Sequence, residues 1–347
     1  MTFFVRVSRG VLAISSEFRR LPHPEVWVEC GPMSLVLVFL SWASFLWTQA
    51  AETDSFTPRN QAVLEGLAEI SDEVDRRIER GIRNANAMSS CNTTVLEVTL
   101  GAELLRPFYG RIEDYANVSL QVAKIRTPFD QSIYRRVPEL NFRLLQIGDT
   151  IFGFVTMIRR GEHLIGNDKF RHFFDEGHFL YLLLKDDGSN LEDVLYASEL
   201  TETGLNGLAV GGIKSYADLV ANYQGLLFWT AMLKPKLASA GKNPYVRCEK
   251  GQWMRKRTFD FKDYVDGAWD EAINCNQYAT DAFGQSVHQS LLQLRTTEGE
   301  KLQCPLPSLD CPEILRRYKM YARYLLHPAT CRTQERGSGH PILMLEN

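Results

Sequence analysis

The sequence predicts a mainly α protein: a single helical domain with a central three-helix polar cluster and a disulfide-stapled C-terminal part. Three observations carry this expectation. Apolar residues recur at spacings of three and four, as one helix face requires. Acids, an imidazole, an ammonium, an amide and a hydroxyl gather at helical spacing between residues 165 and 225. Four of the seven cysteines fall after residue 270, where the periodicity is weakest.

The chain has 347 residues, a formal charge of −3, 45% hydrophobic and 23% charged residues. That composition is globular. Near-neutrality excludes a nucleic-acid partner, which needs a basic surface. The short run Arg255-Lys256-Arg257 reads as a solvated turn.

Residues 33–50 form an apolar run ending in Ala50-Ala51, followed at once by polar sequence. This is the pattern of a secretory signal peptide cleaved near Ala50 or Ala51. Residues 1–32 then read as a mis-extended start. An uncleaved membrane anchor is the alternative, though the run is short for the roughly 20 residues of a span. No cysteine follows the cleavage site, which disfavours a lipoprotein. Outside the first stretch the cysteines are Cys91, Cys248, Cys275, Cys304, Cys311 and Cys331, an even number that permits three disulfides in an exported chain. No Cys-x-x-Cys pair occurs, against a zinc ribbon or thioredoxin motif.

Beyond the signal, three parts are expected: 51–150, N-terminal and helical; 151–235, the central core; and 236–347, holding most of the cysteines. In the first, Val63, Leu67, Ile70, Val74 and Ile78 predict a surface helix from Thr57 to about Asn86. A second is predicted over Leu96–Tyr115, with Pro107 as a kink or boundary. Val122–Pro128 reads as a short strand or extended loop. The sparsely charged stretch from Phe142 to Ile158 reads as a buried helix or strand pair. The central block predicts three helices. One begins near Asp168 and ends at Lys185–Gly188. The next starts near Ser189, capped by Asp or Asn, and runs to Thr203. The third is capped by Ser215 and ends before Pro235. Four glycines in Gly204–Gly212 make a tight loop. An aromatic segment, Phe259–Ala279, and a helix over Pro312–Leu326 complete the chain.

The chemistry lies in the central block. Residues four apart share a helix face, so Asp168, His172 and Glu176 form one stripe beside Lys169. A carboxylate near an imidazole orients it and raises its basicity, which suits a general base or a metal ligand. Asp168 capping the helix and pairing with His172 is the plainer reading. Ser215, Asp218 and Asn222 share a face of the third helix among apolar residues, where Asp and Asn need partners. Glu202, on the second helix, would have a raised pKa if buried near another acid. Asp270 and Asn274 read as caps and packing. Asn92-Thr-Thr and Asn117-Val-Ser are formal glycosylation sequons, relevant in a eukaryotic secretory host.

Asp168-Lys169-x-x-His172, then Glu202, then Ser215-x-x-Asp218-x-x-x-Asn222-x-x-Gly225 resembles the polar skeleton of VanZ-like proteins and of small YfiM-type envelope lipoproteins. In those families a DKxxH helix is followed by a glutamate and then by a helix of the pattern S/R-x-x-D-x-x-x-N-x-x-G. The match covers residues 165–230 only. VanZ-like proteins are membrane-embedded, whereas Lys185, Asp186, Asp187, Glu192 and Asp193 solvate this block. The cysteines have no counterpart. The resemblance implies a helical fold and a bacterial envelope location, and supplies no reaction.

Two functions follow as expectations. The first is an exported hydrolase, periplasmic or secreted, acting on a cell-wall glycan or on a phosphoester or lipid-linked substrate. His172 would be its base, oriented by Asp168 or Asp218. Glu202 would be an acid or metal ligand, Lys169 an anion holder and Asn222 a polar contact, with Ser215 and Glu176 lining the substrate. Whether a metal or other cofactor takes part is left open. The second is a non-catalytic envelope protein whose cluster is structural or binds a lipid or cell-wall fragment, with Phe170–Phe179 and Phe228-Trp229 lining an apolar groove. A membrane-peripheral contact is a weaker expectation, opposed by the lack of a strongly basic amphipathic helix. The chain has no G-x-G-x-x-G, P-loop, H-E-x-x-H or G-x-S-x-G.

Overall fold

The computed structural model describes residues 52–106, 110–138, 156–186, 189–204, 207–209, 211–233, 244–297 and 299–332. All of them fall within one compact unit, Trp47–Asn347. The structure is about half helical, so the mainly α expectation holds in part, with three small two-stranded sheets beside the helices.

Helix α1 spans Leu67–Met88 and buries Leu67, Ile70, Val74, Ile78, Ile82 and Ala85 on one face. Its solvent face carries local pairs such as Glu79 with Arg83. It starts at Leu67 rather than Thr57 because Asp54 ties the preceding segment into a turn, accepting from the backbone N–H of Phe56 and Thr57. It ends at Met88, two residues past the predicted end near Asn86, whose side chain is paired with the backbone of Trp253. The single helix predicted over Leu96–Tyr115 is two, α2 (Thr93–Leu104) and α3 (Arg111–Val118), with 107–109 outside the described residues. Asn92 caps α2 by accepting from Val95 N–H at 3.1 Å.

Strands β1 (Met157–Arg160) and β2 (His163–Gly166) form an antiparallel hairpin, with Ile125 bridged to Met157. Gly161 takes φ +54° in its turn. Most of the buried stretch predicted from Phe142 lies outside the described residues. The hairpin feeds helix α4, which runs as Asp168–Arg171, a π segment at His172–Glu176, and Gly177–Asp186. Helix α5 (Leu191–Thr203) is capped by Asn190, which accepts from Asp193 N–H at 3.0 Å. Helix α6 (Tyr216–Leu233) follows β3 (Ile213–Lys214) and is buried along nearly its whole length. These are the three predicted central helices.

The C-terminal part is less regular. Strands β4 (Val246–Glu249) and β5 (Gln252–Arg255) turn through Lys250 and Gly251, both at positive φ, as a two-residue hairpin loop demands. Arg255 pairs with Asp75 and Glu79 of α1, so the basic run is partly neutralised. Phe259–Ala279 winds through two single turns, Phe261–Asp263 and Gly267–Trp269, each started by an aspartate cap. Strand β6 (Gln277–Tyr278) pairs with β3, and α7 covers Asp281–Leu291. The predicted last helix is broken at Lys319, φ +44°, into α8 (Cys311–Tyr318) and α9 (Ala322–Leu325).

The core is aromatic. Phe173 of α4 packs against Phe174, Phe228, Phe261, Tyr264 and Trp269, with centroids 4.8–5.9 Å apart. Of the residues expected to line an apolar groove, Phe170, Phe173, Phe174, Phe228 and Trp229 therefore fill the core, while Phe179 is exposed. Helices α4 and α6 cross at a glycine pair: a Cβ on Gly177 would sit 2.6 Å from the Gly225 Cα. Trp229 Nε1 donates across this crossing to the Phe174 carbonyl at 2.9 Å. Three disulfides close the fold: Cys91–Cys248, Cys275–Cys304 and Cys311–Cys331. The last two staple the C-terminal part. Among the described residues, no helix is long and apolar enough to cross a membrane.

Candidate functional site

The centre of the molecule is a lysine ammonium held by three carboxylates. Lys169 sits in the first turn of α4 and is fully buried. Its Nζ lies 2.7 Å from Asp168 Oδ2, 2.6 Å from Asp218 Oδ1 and 2.5 Å from Glu271 Oε1. Asp168 precedes it on α4, Asp218 comes from the first turn of α6, and Glu271 follows the Gly267–Trp269 turn. Asn167 sets the entry to α4 by accepting from Thr156 N–H at 3.2 Å. Glu271 Oε2 accepts from Asn276 Nδ2 at 3.0 Å. Burial works against the lysine charge, yet Asp168, Asp218, Glu271 and Glu52 together hold its pKa well above the usual lysine range.

His172 lies one turn further along α4. Its Nε2 is 3.2 Å from Asp218 Oδ2, and its Nδ1 faces the Asn222 amide at 3.0 Å. With the amide nitrogen turned toward His172, Asn222 donates to Nδ1 and to the carbonyls of His172 and Asp218, while its oxygen accepts from Ser198 Oγ at 3.2 Å. That orientation satisfies both ends of the amide. It leaves the proton on Nε2, aimed at Asp218. The approach of Arg171 Nη2 to Nε2, at 3.0 Å, opposes it. Arg171 has other partners in Glu176 (3.5 Å) and Glu113 (3.8 Å). Burial, reinforced by the Arg171 charge, depresses the His172 pKa well below the usual imidazole value, so the ring is neutral at pH 7.

Glu202, on α5, is 1% exposed. Its Oε2 has no hydrogen-bond partner among the described residues. Burial, with Asp218 and Glu176 nearby, raises its pKa well above the carboxylate range. Burial and the neighbouring acids likewise raise Glu52 strongly, and Glu271 to about 7 despite Lys169. Carboxyls outnumber cations here, so some of them carry protons.

The structure thus gathers Asp168, Lys169, His172, Glu202, Asp218 and Asn222 in one buried cluster. Ser215 caps α6, its Oγ accepting from Asp218 N–H at 3.3 Å, and so sets the start of the helix that carries Asp218. Glu176 lies at the end of the π segment, whose wider turn takes it off the Asp168–His172 stripe and toward Arg171. Glu199, on the same helix as Glu202, pairs with Lys214 at 2.5 Å instead of joining the cluster. Three members escaped the sequence reading: Glu271, Glu52 and Arg171. The one available signal was charge, since a buried lysine demands more than one acid. Asp270 and Asn274 are structural. Asp270 holds Arg59 and the backbone of Leu164 and Ala272, and Asn274 joins Ala268 to the Leu325–Thr330 segment.

Chemically, the cluster can hold protons, keep a neutral imidazole in one tautomer, or bind a cation. Two carboxylate-containing triads have ligand atoms within 4.8 Å of one another: Asp168, His172 and Asp218, and Glu52, Asp168 and Glu271. No family model, curated protein or solved structure matches this chain.

Proposed function

We propose that this chain is an exported, periplasmic or secreted protein, a single helical domain, whose central cluster is a closed charge network rather than a catalytic pocket. The observation that carries the reading is burial. Asp168, His172, Asp218 and Asn222 are 3–4% exposed, Glu202 is 1% and Lys169 is 0%. A general base must reach the proton it takes, directly or through one water. A polymer such as a cell-wall glycan does not reach these groups. The three disulfides and the signal-like apolar run support export. The likeness of Asp168…Gly225 to the VanZ-like skeleton supports an envelope location.

The network joins α4, α5, α6 and the Glu271 segment through ionic and hydrogen-bonded contacts. It gives those elements one relative placement, a role that buried polar networks serve in some proteins. The test uses His172→Ala and Glu202→Gln, checked for folding by circular dichroism, against isolated peptidoglycan and phospholipid vesicles. The expected result is no digestion by the wild type and a lowered melting temperature for His172→Ala. Digestion by the wild type that both variants lose would overturn the reading in favour of a hydrolase.

A further inference from the structure

The closed centre has more acid than it can balance. Asp168, Asp218, Glu271 and Glu202 are buried, and Glu52, beside them, is partly buried. Among the described residues the facing cations are Lys169 and Arg171, and Arg171 is shared with Glu113 and Glu176. Within this excess, Asp168, His172 and Asp218 form a mixed nitrogen–oxygen donor set.

We propose that Asp168, His172 and Asp218 bind one divalent transition-metal ion of the zinc or manganese class, a ligand of the same closed centre. The proposal rests on the centre being closed, and four features support it. First, one ligand atom from each residue lies within 4.8 Å of the other two, close to what a shared ion requires. Second, Lys169 holds Asp168 by Oδ2 and Asp218 by Oδ1. It fixes both carboxylates in the way outer partners orient metal ligands. Asp218 Oδ2 then remains 3.2 Å from His172 Nε2. Third, Asp168 Oδ1 is buried without a hydrogen-bond donor. Fourth, the Asn222 amide serves either tautomer of His172. With an ion on Nε2 the proton moves to Nδ1, and Asn222 Oδ1, placed 3.0 Å away, accepts it. Arg171 then turns from Nε2 toward Glu113 and Glu176, its other partners.

An imidazole with two carboxylates favours zinc or manganese over magnesium or calcium, which prefer all-oxygen sites. Entry requires opening of the fold or binding as it forms, since the ligands are buried.

The experiment takes the mature chain purified after export, stripped with a chelator under mild denaturation and refolded with its disulfides intact. It is titrated with Mn2+ and, separately, with Zn2+. The expected result is one ion per chain, a higher melting temperature, and nitrogen hyperfine coupling in the Mn2+ spin-echo spectrum. Replacing the exposed His288 by Gln should leave that coupling in place, while Asn222→Ala should weaken Mn2+ binding about 10–100-fold. Absence of binding by the wild type, or binding without nitrogen coupling, overturns the site. If no ion binds while His172→Ala still destabilises the fold, the cation site fails and the closed network stands. If His172→Ala leaves stability unchanged, the network reading itself fails.

Discussion

Replacing Lys169 by Met removes the one charge that Asp168, Asp218 and Glu271 share while keeping a side chain of similar length. The three contacts are 2.5–2.7 Å. At an effective dielectric of about 20, each is worth roughly 6 kcal/mol of gross Coulomb attraction. The net loss is far smaller, because a carboxylate can take a proton in place of the lost ammonium. That proton costs about 1.4 kcal/mol for each pH unit above an ordinary carboxylate pKa near 4. The replacement therefore destabilises the fold by about 5 kcal/mol at pH 8 and about 1 kcal/mol at pH 5. The larger figure agrees with the roughly 3–5 kcal/mol for breaking a buried ion pair. Urea unfolding followed by circular dichroism at the two pH values measures both. A loss that is the same at pH 5 and pH 8, or below about 1 kcal/mol at pH 8, would refute this account of the centre.

Further predictions concern the frame and its titration. Gly225→Ala drives a methyl group into the Phe173 carbonyl and the Gly177 Cα, and should cost about 3 kcal/mol or more in thermal unfolding. A cost below about 0.5 kcal/mol would mean that α4 and α6 do not cross there. Removing Cys91–Cys248, with a sequence separation of 157, should cost about 5 kcal/mol by loop entropy, against about 3 for Cys311–Cys331, with a separation of 20. Melting of the paired Cys→Ala variants orders the two. Burial lifts Asp175 to about 7, against the pull of the Arg106 backbone N–H and of Arg171. Its folded pKa lies above the unfolded value near 4, so the native state binds the extra proton and this group's contribution falls as pH rises from about 4 to 7. Asp175→Asn should lose that slope and gain stability over the wild type above pH 7. Identical pH profiles would contradict it.

The legible parts of this fold are those written in local pattern. The helices α4, α5 and α6 follow from apolar spacing, and their caps Asn190 and Ser215 sit where such side chains meet free backbone N–H groups. The gathering of Asp168, His172, Glu202, Asp218 and Asn222 was also readable, because polar residues inside apolar helices must find each other. Glu271 was not, for it comes from a segment with no helical or strand period, about a hundred residues from Lys169. Glu52 hid beside the expected cleavage point. The π segment at His172–Glu176 left no mark on the spacing, so Glu176 was placed on a stripe it does not share. The β1–β2 hairpin was missed because its strands have four residues each, too few for a period to declare itself.

The central claim is that Lys169 is sealed between carboxylates in a closed centre. Amine labelling of the native protein, read by mass spectrometry, tests it most directly. Lys250, Lys262 and Lys319 are exposed and should react readily. Lys169 should stay unmodified until the protein unfolds. Modification of native Lys169 at a rate comparable to Lys250 would contradict the claim.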